Sequence, residues 1–206
     1  MSELLETTSM LMERGGWVMI PLLGMSILGV ALVIERSYFW FSVNATARSP
    51  YLIRLSAALR QGEIDEARSL SNNDRSPFGG MVRSMLDHGG TEAATVEAME
   101  LQRPRLERSM VLISTIVTAA PLLGILGTVV GIIQSFQLLG GESTLTDPTD
   151  VAGGIATALI TTAFGLIIAL MMLFPYMIFR GLLDRTMGRM ESIAAAAIQG
   201  SDHGGS

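Results

Sequence analysis

Three stretches without a formal charge decide what this chain can fold into. No Asp, Glu, Lys or Arg occurs from Gly15 to Ile34, from Ser109 to Gly141, or from Val151 to Phe179, runs of 20, 33 and 29 residues. A helix rises about 1.5 Å per residue, so about 20 apolar residues cross the roughly 30 Å hydrocarbon core of a bilayer. Each run meets that length, and the two longer ones are expected to tilt or to project beyond it. The chain as a whole is 16% charged and 49% hydrophobic, where soluble proteins average about 25% charged. The shortage is local: all 33 charges fall in the 124 residues outside the runs. This distribution excludes an ordinary soluble enzyme, a disordered chain and a nucleic-acid-binding protein. The expected fold class is an all-α membrane protein, with three transmembrane helices and long helices extending into a cytoplasmic helical domain. Its first partner is the lipid bilayer.

The flanks give the orientation. Trp17 precedes the first span, and Tyr38, Phe39, Trp40 and Phe41 follow it. The two tryptophans stand roughly 35 Å apart on a helix, the spacing of two interfacial aromatic belts. The segment before this span carries three Glu and one Arg and no basic run, so a retained span is expected rather than a cleaved signal peptide. The chain has no Lys, and nine Arg lie between Ser42 and Arg108. Three more follow the third span, whereas the connector GGESTLTDPTDV has none. Positive residues stay inside, so the middle segment and tail are expected in the cytoplasm, with the N-terminus and connector outside. The expected organisation is an outer segment (1–14), transmembrane helix 1 (15–41), a cytoplasmic helical domain (42–108), transmembrane helix 2 (109–139), an outer loop (140–150), transmembrane helix 3 (151–179) and a cytoplasmic tail (180–206).

In the middle segment Leu52, Leu55, Leu59, Ala67 and Leu70 recur near helical spacing. SNNDRSPFGG (71–80) reads as a turn, after which Met81, Met85 and Leu86 resume an apolar face. From Thr91 a run of helix formers is expected to continue directly into the second span, with Pro104 as the expected kink or local break. Cysteine is absent, and His88 and His203 stand far apart in polar segments. Thiol chemistry and iron–sulfur ligation are therefore excluded, and no metal site, cofactor or enzymatic activity is expected.

The second and third spans carry the chemistry. At 100° per residue, Ser114, Thr118, Pro121, Thr128 and Ser135 fall in one stripe about 100° wide, with Gly124, Gly127 and Gly131 beside it. On the third span Gly154, Thr157, Ala158, Thr161, Thr162, Gly165 and Ala169 share a face. Small residues let helix backbones approach closely in lipid, which makes Gly124, Gly127, Gly131, Gly154 and Gly165 candidate packing positions. Two readings of the hydroxyls stand side by side. They can be satisfied by carbonyls of their own helix in a packed seam, or they can line a polar path formed by Thr118, Thr128, Thr157, Thr161 and Thr162. Neither span holds an ionisable side chain, and ion relays in membranes ordinarily need one. A conducting chain of this kind must borrow its titrating group from another subunit. Glu35 and Arg36, adjacent at the cytoplasmic end of the first span, are expected to snorkel into the interface.

The runs APLLGILGTVVGIIQSF (120–136) and DVAGGIATALITTAFGL (150–166) resemble the ExbB/TolQ/MotA proton-channel family. So do VIER (33–36), LRQGEIDEAR (59–68), SPFGGMVRSML (76–86) and RLER (105–108). Three spans in this order are similar to the ExbB/TolQ branch. The resemblance implies a homopentamer in the bacterial inner membrane, its outer face being the periplasm. Spans two and three would line a pore holding the single-span helices of an ExbD/TolR-like partner, whose membrane Asp takes up and releases the proton. A TonB/TolA-like periplasm-spanning protein is a further implied partner. By motif position, Thr128 and Thr162 match threonines that line the family's ion path. Two departures stand out. Thr157 occupies the place of a Glu in the best-known members, which leaves a Na⁺-driven version open beside a proton-driven one. The Pro expected at Met171 comes instead at Pro175, which shifts the expected bend of the third helix. A non-conducting membrane scaffold is the rival reading.

Overall fold

The computed structural model describes residues 16–47, 50–140 and 148–204. The expected outer segment and most of the outer loop lie outside the described residues. Seven helices and no strand occur among those described: α1 (Met19–Ala47), α2 (Pro50–Gln61), α3 (Ile64–Asn72), α4 (Pro77–Asp87), α5 (Glu92–Glu107), α6 (Met110–Gly140) and α7 (Pro148–Gly204). The chain is an all-α membrane protein. Helices α1, α6 and α7 each hold a stretch long and apolar enough to cross a bilayer. The helix that holds the third span does not end where the charge-free run does: α7 continues without interruption through Pro175 and Arg180 to Gly204.

Local chemistry sets the other boundaries. Pro50 and Pro77 each open a helix, where their missing N–H costs nothing. Gly62, at φ +73°, ends α2 in the left-handed conformation, and the Glu63 N–H returns to the Ala58 carbonyl at 3.0 Å. Thr91 caps α5 by accepting the Ala94 N–H at 3.2 Å. Pro104 lies inside α5 without breaking it. The interruption comes instead at Arg108 and Ser109, where Ser109 takes φ +64°.

Two compact units divide the chain, and α1, α6 and α7 contribute to both. Unit 1 comprises Met1–Ile34 and Val111–Tyr176. Its buried residues recur along one stripe of α6, from Ile113 and Ile116 through Ala120, Gly124, Gly127 and Gly131 to Ser135. Leu122, Ile125, Val129, Ile133 and Phe136 on α6, and Leu159, Leu166, Leu170 and Phe174 on α7, remain exposed. An apolar exterior around a core of small residues inverts the soluble arrangement and suits lipid.

Unit 2 comprises Glu35–Met110 and Met177–Ser206. Leu55 and Leu59 of α2, Ala67 of α3, and Phe78, Met81 and Met85 of α4 are buried in its core. Asp74 organises the turn between α3 and α4. Its carboxylate accepts the Ser76 N–H at 2.8 Å, the Ser76 hydroxyl at 2.5 Å and the Gly79 N–H at 3.0 Å. Arg83 donates to the carbonyls of Asp74, at 2.7 Å, and of Ser71. Burial, reinforced by the nearby Asp74 carboxylate, holds the Tyr51 hydroxyl well above the ordinary tyrosine range.

Candidate functional site

The small faces of α6 and α7 meet along a seam inside unit 1. A Cβ added at Gly124 would lie 2.9 Å from the Thr162 Cα and 3.0 Å from the Thr161 carbonyl oxygen. One added at Gly131 would lie 2.7 Å from the Ala158 Cβ. At Gly127 it would run into the Thr161 side chain, at Gly154 into the Ser135 hydroxyl and at Gly165 into the Ala120 carbonyl. All five glycines singled out in the sequence thus lie where the two backbones touch. Such contact suits a bilayer, where packing rather than apolar burial drives helix association.

The threonines divide by depth. Thr161 is 1% exposed, and its hydroxyl donates to the Ala158 carbonyl at 2.7 Å and reaches the Gly124 carbonyl at 3.5 Å. Ser135 is likewise buried and donates to the Gly131 carbonyl at 2.9 Å. In this chain Thr161 belongs to the packed seam. Thr128 and Thr162 sit at the seam's half-buried edge. The Thr162 hydroxyl donates across the seam to the Gly124 carbonyl at 2.8 Å and lies 3.3 Å from the Thr128 hydroxyl. Thr128 donates to the Ile125 carbonyl of its own helix at 2.6 Å. Thr157 is half-buried just over one turn before Thr162. Thr118 is exposed, donating to the Thr115 carbonyl at 3.0 Å and the Ser114 carbonyl at 3.2 Å. The structure therefore joins Thr128, Thr162 and the Gly124 carbonyl in one polar group. Thr118 and Thr157 are not joined to it by a hydrogen bond.

Glu35 and Arg36 belong to unit 2 and behave differently from each other. The Glu35 side chain is 45% exposed, whereas that of Arg36 is 1% exposed. Arg36 is turned into the protein. Its Nε donates to the Arg108 carbonyl and its Nη2 to the Arg105 carbonyl at 3.2 Å, while the guanidinium stacks 4.7 Å from the centre of the Phe39 ring. Glu35 stands 3.9 Å from the Arg36 Nε and accepts the Ser109 hydroxyl at 3.3 Å. A buried guanidinium costs several kcal/mol unless its donors are used, and these carbonyls take two of them. Sequence reasoning missed this because the acceptors lie 69 and 72 residues away.

Among the described residues no group of three or more His, Cys, Asp or Glu side chains is placed to hold a metal. His88 is exposed, with its Nδ1 2.8 Å from the Ser84 carbonyl, and the His203 side chain lies outside the described residues.

The sequence model of the MotA/TolQ/ExbB proton channel family matches residues 71–192, more than half of the chain. The chain belongs to this family. The match takes in the Asp74 turn, the break at Ser109 and the seam residues of α6 and α7, while Glu35 and Arg36 lie outside it. Individual MotA/TolQ/ExbB relatives agree. The putative biopolymer transport protein ExbB-like 3 of Synechocystis sp. is 36% identical over 178 residues, which cover 82% of each chain. ExbB-like 1 of the same organism is 34% identical over 190 residues, 88% of this chain and 73% of the relative. The Tol-Pal system protein TolQ of Pseudomonas aeruginosa is 35% identical over 105 residues, 51% of this chain and 45% of its own. The chain is accordingly a multi-pass membrane protein of the proton-channel type related to biopolymer transport.

Proposed function

We propose that this chain is the ion-conducting ring subunit of an inner-membrane motor, coupling the proton motive force to work across the cell envelope. In this reading it forms a homo-oligomer, a pentamer by family resemblance, with its N-terminus in the periplasm and its C-terminus in the cytoplasm. The ring surrounds an ExbD/TolR-like single-span partner that supplies the titrating Asp, and a TonB/TolA-like protein receives the work. The Thr128–Thr162 pair carries the reading. It sets two hydroxyls 3.3 Å apart at the edge of a seam whose spans contain no acid or base of their own. Such a pair can orient a neighbouring carboxyl or coordinate an ion, but it cannot itself take up and release a proton near neutral pH. Thr128 and Thr162 are the central lining residues in this proposal, with Thr118 and Thr157 at its ends and Thr161 supporting from behind.

Flux measurements on proteoliposomes containing this protein and its single-span partner test the proposal. A proton current that requires both chains is the expected result. Absence of current from an assembled complex would instead support a non-conducting scaffold. Thr157 in the place of the family Glu favours testing one variation: replacing Na⁺ by K⁺ at constant pH should leave a proton-driven complex active and silence a sodium-driven one.

A further inference from the structure

We infer that Arg36 is a latch that keeps α5 and α6 apart as two helices, and so sets where the second span begins. Local sequence favours the opposite outcome. From Arg105 to Met110 the chain reads RLERSM, with no Gly or Pro, and Leu, Arg, Glu and Met are good helix formers. Ser109 nevertheless adopts φ +64°, a conformation that crowds a Cβ against the following carbonyl oxygen. Something distant in sequence must hold the break open.

The break has a definite hydrogen-bonding cost. In a continuous helix the Arg105 carbonyl would take the N–H of Ser109, and the Arg108 carbonyl that of Leu112. Once the chain turns at Ser109 both carbonyls need other donors. Arg36 supplies both from one planar fork, Nη2 to Arg105 and Nε to Arg108. Phe39 covers the guanidinium, and Glu35 engages the Ser109 hydroxyl. The adjacent pair Glu35-Arg36 therefore grips the junction on both sides of the break. A lysine offers a single nitrogen on a flexible stem and cannot reproduce the fork. Without the latch, the nearest donors for these carbonyls are the first amides of α6, and taking them straightens the junction into one helix. The inference does not depend on whether the complex conducts ions.

Hydrogen exchange on the full-length protein in lipid nanodiscs tests it, read on the peptide spanning Ser109–Leu112. These first-turn amides should exchange fast in the wild type. Arg36→Lys should slow them about tenfold as they enter a continuous helix, and adding Ser109→Gly, which removes the Cβ penalty of the left-handed turn, should restore the fast rate. A merely structural role for Arg36 predicts the reverse, because loosened packing speeds exchange. Unchanged or faster exchange in Arg36→Lys overturns the inference, as does slow exchange that Ser109→Gly does not relieve. If Arg36→Lys alone does not accumulate, recovery of the double variant with wild-type exchange supports the latch, and loss of both overturns it.

Discussion

The hydroxyl oxygens of Thr128 and Thr162 lie 3.3 Å apart although the residues come from different spans. Thr162 also donates to the Gly124 carbonyl at 2.8 Å, so it bridges the seam and faces its edge at once. Thr162→Val and Thr128→Val keep the side-chain volume and remove one hydroxyl each. Ion flux through the reconstituted complex should fall roughly five- to tenfold in either, the equivalent of one net hydrogen bond of about 1 kcal/mol. Thr162→Ser should retain most of it. Assembly should be unaffected, as judged by size-exclusion chromatography. Wild-type flux in both valine variants would remove the pair from the path.

The seam itself should be intolerant of added volume at chosen points only. A Cβ at Gly127 would stand 2.8 Å from the Thr161 Cβ, whereas one at Gly153 meets nothing within 4 Å. Gly127→Ala should cost about 1–3 kcal/mol through overpacking, and Gly153→Ala should stay within about 0.5 kcal/mol of wild type. Thermal unfolding in detergent compares them. Equal stability of the two would mean that α6 and α7 do not touch as described.

Asp74, not Ser76, caps the start of α4. Ser76 occupies the cap position, but its side chain makes no capping bond. The Asp74 carboxylate instead takes the N–H groups of Ser76 and Gly79. Asp74→Ala should therefore destabilise unit 2 by about 1–3 kcal/mol, while Ser76→Ala should cost about 0.5 kcal/mol or less. Chemical denaturation of the full chain distinguishes them, and a reversed order would refute this assignment of the cap.

Tyr51 gives the same turn a pH dependence. Its folded pKa is raised, chiefly by burial and then by Asp74, so the folded protein holds the phenolic proton more tightly than the unfolded chain does. That stabilisation is complete below the ordinary tyrosine pKa of about 10 and is lost as pH rises above it. Wild-type stability should decline across that alkaline window, and Tyr51→Phe should flatten the decline. Parallel curves for the two proteins would show that Tyr51 does not titrate as described.

The legible part of this fold is the part written in local pattern. Three runs emptied of charge predict three spans, and a 3.6-residue period places Gly124, Gly127 and Gly131 on one face. Period alone cannot say which of two adjacent threonines turns inward, because Thr161 and Thr162 differ by only 100° and the facing helix sets the register. The packing of Gly127 against the Thr161 side chain settles that choice. The helix break lies away from its local signal for a related reason. Pro104 is the local signal, yet α5 runs through it. The true interruption at Ser109 coincides with bonds from Arg36, which no window of neighbouring residues contains.

One property of the seam hydroxyls bears on what they can meet. Thr128, Thr161 and Thr162 each spend their single proton on a backbone carbonyl. What such an oxygen presents outward is lone pairs alone. The edge where Thr128 and Thr162 stand is therefore a row of acceptors, welcoming to a hydronium, a bare cation or a protonated carboxyl and unfavourable to a carboxylate. An acid moving along it would be better solvated with its proton than without. Polarity of that kind comes from hydroxyl orientation, with no charged residue in either span to supply it.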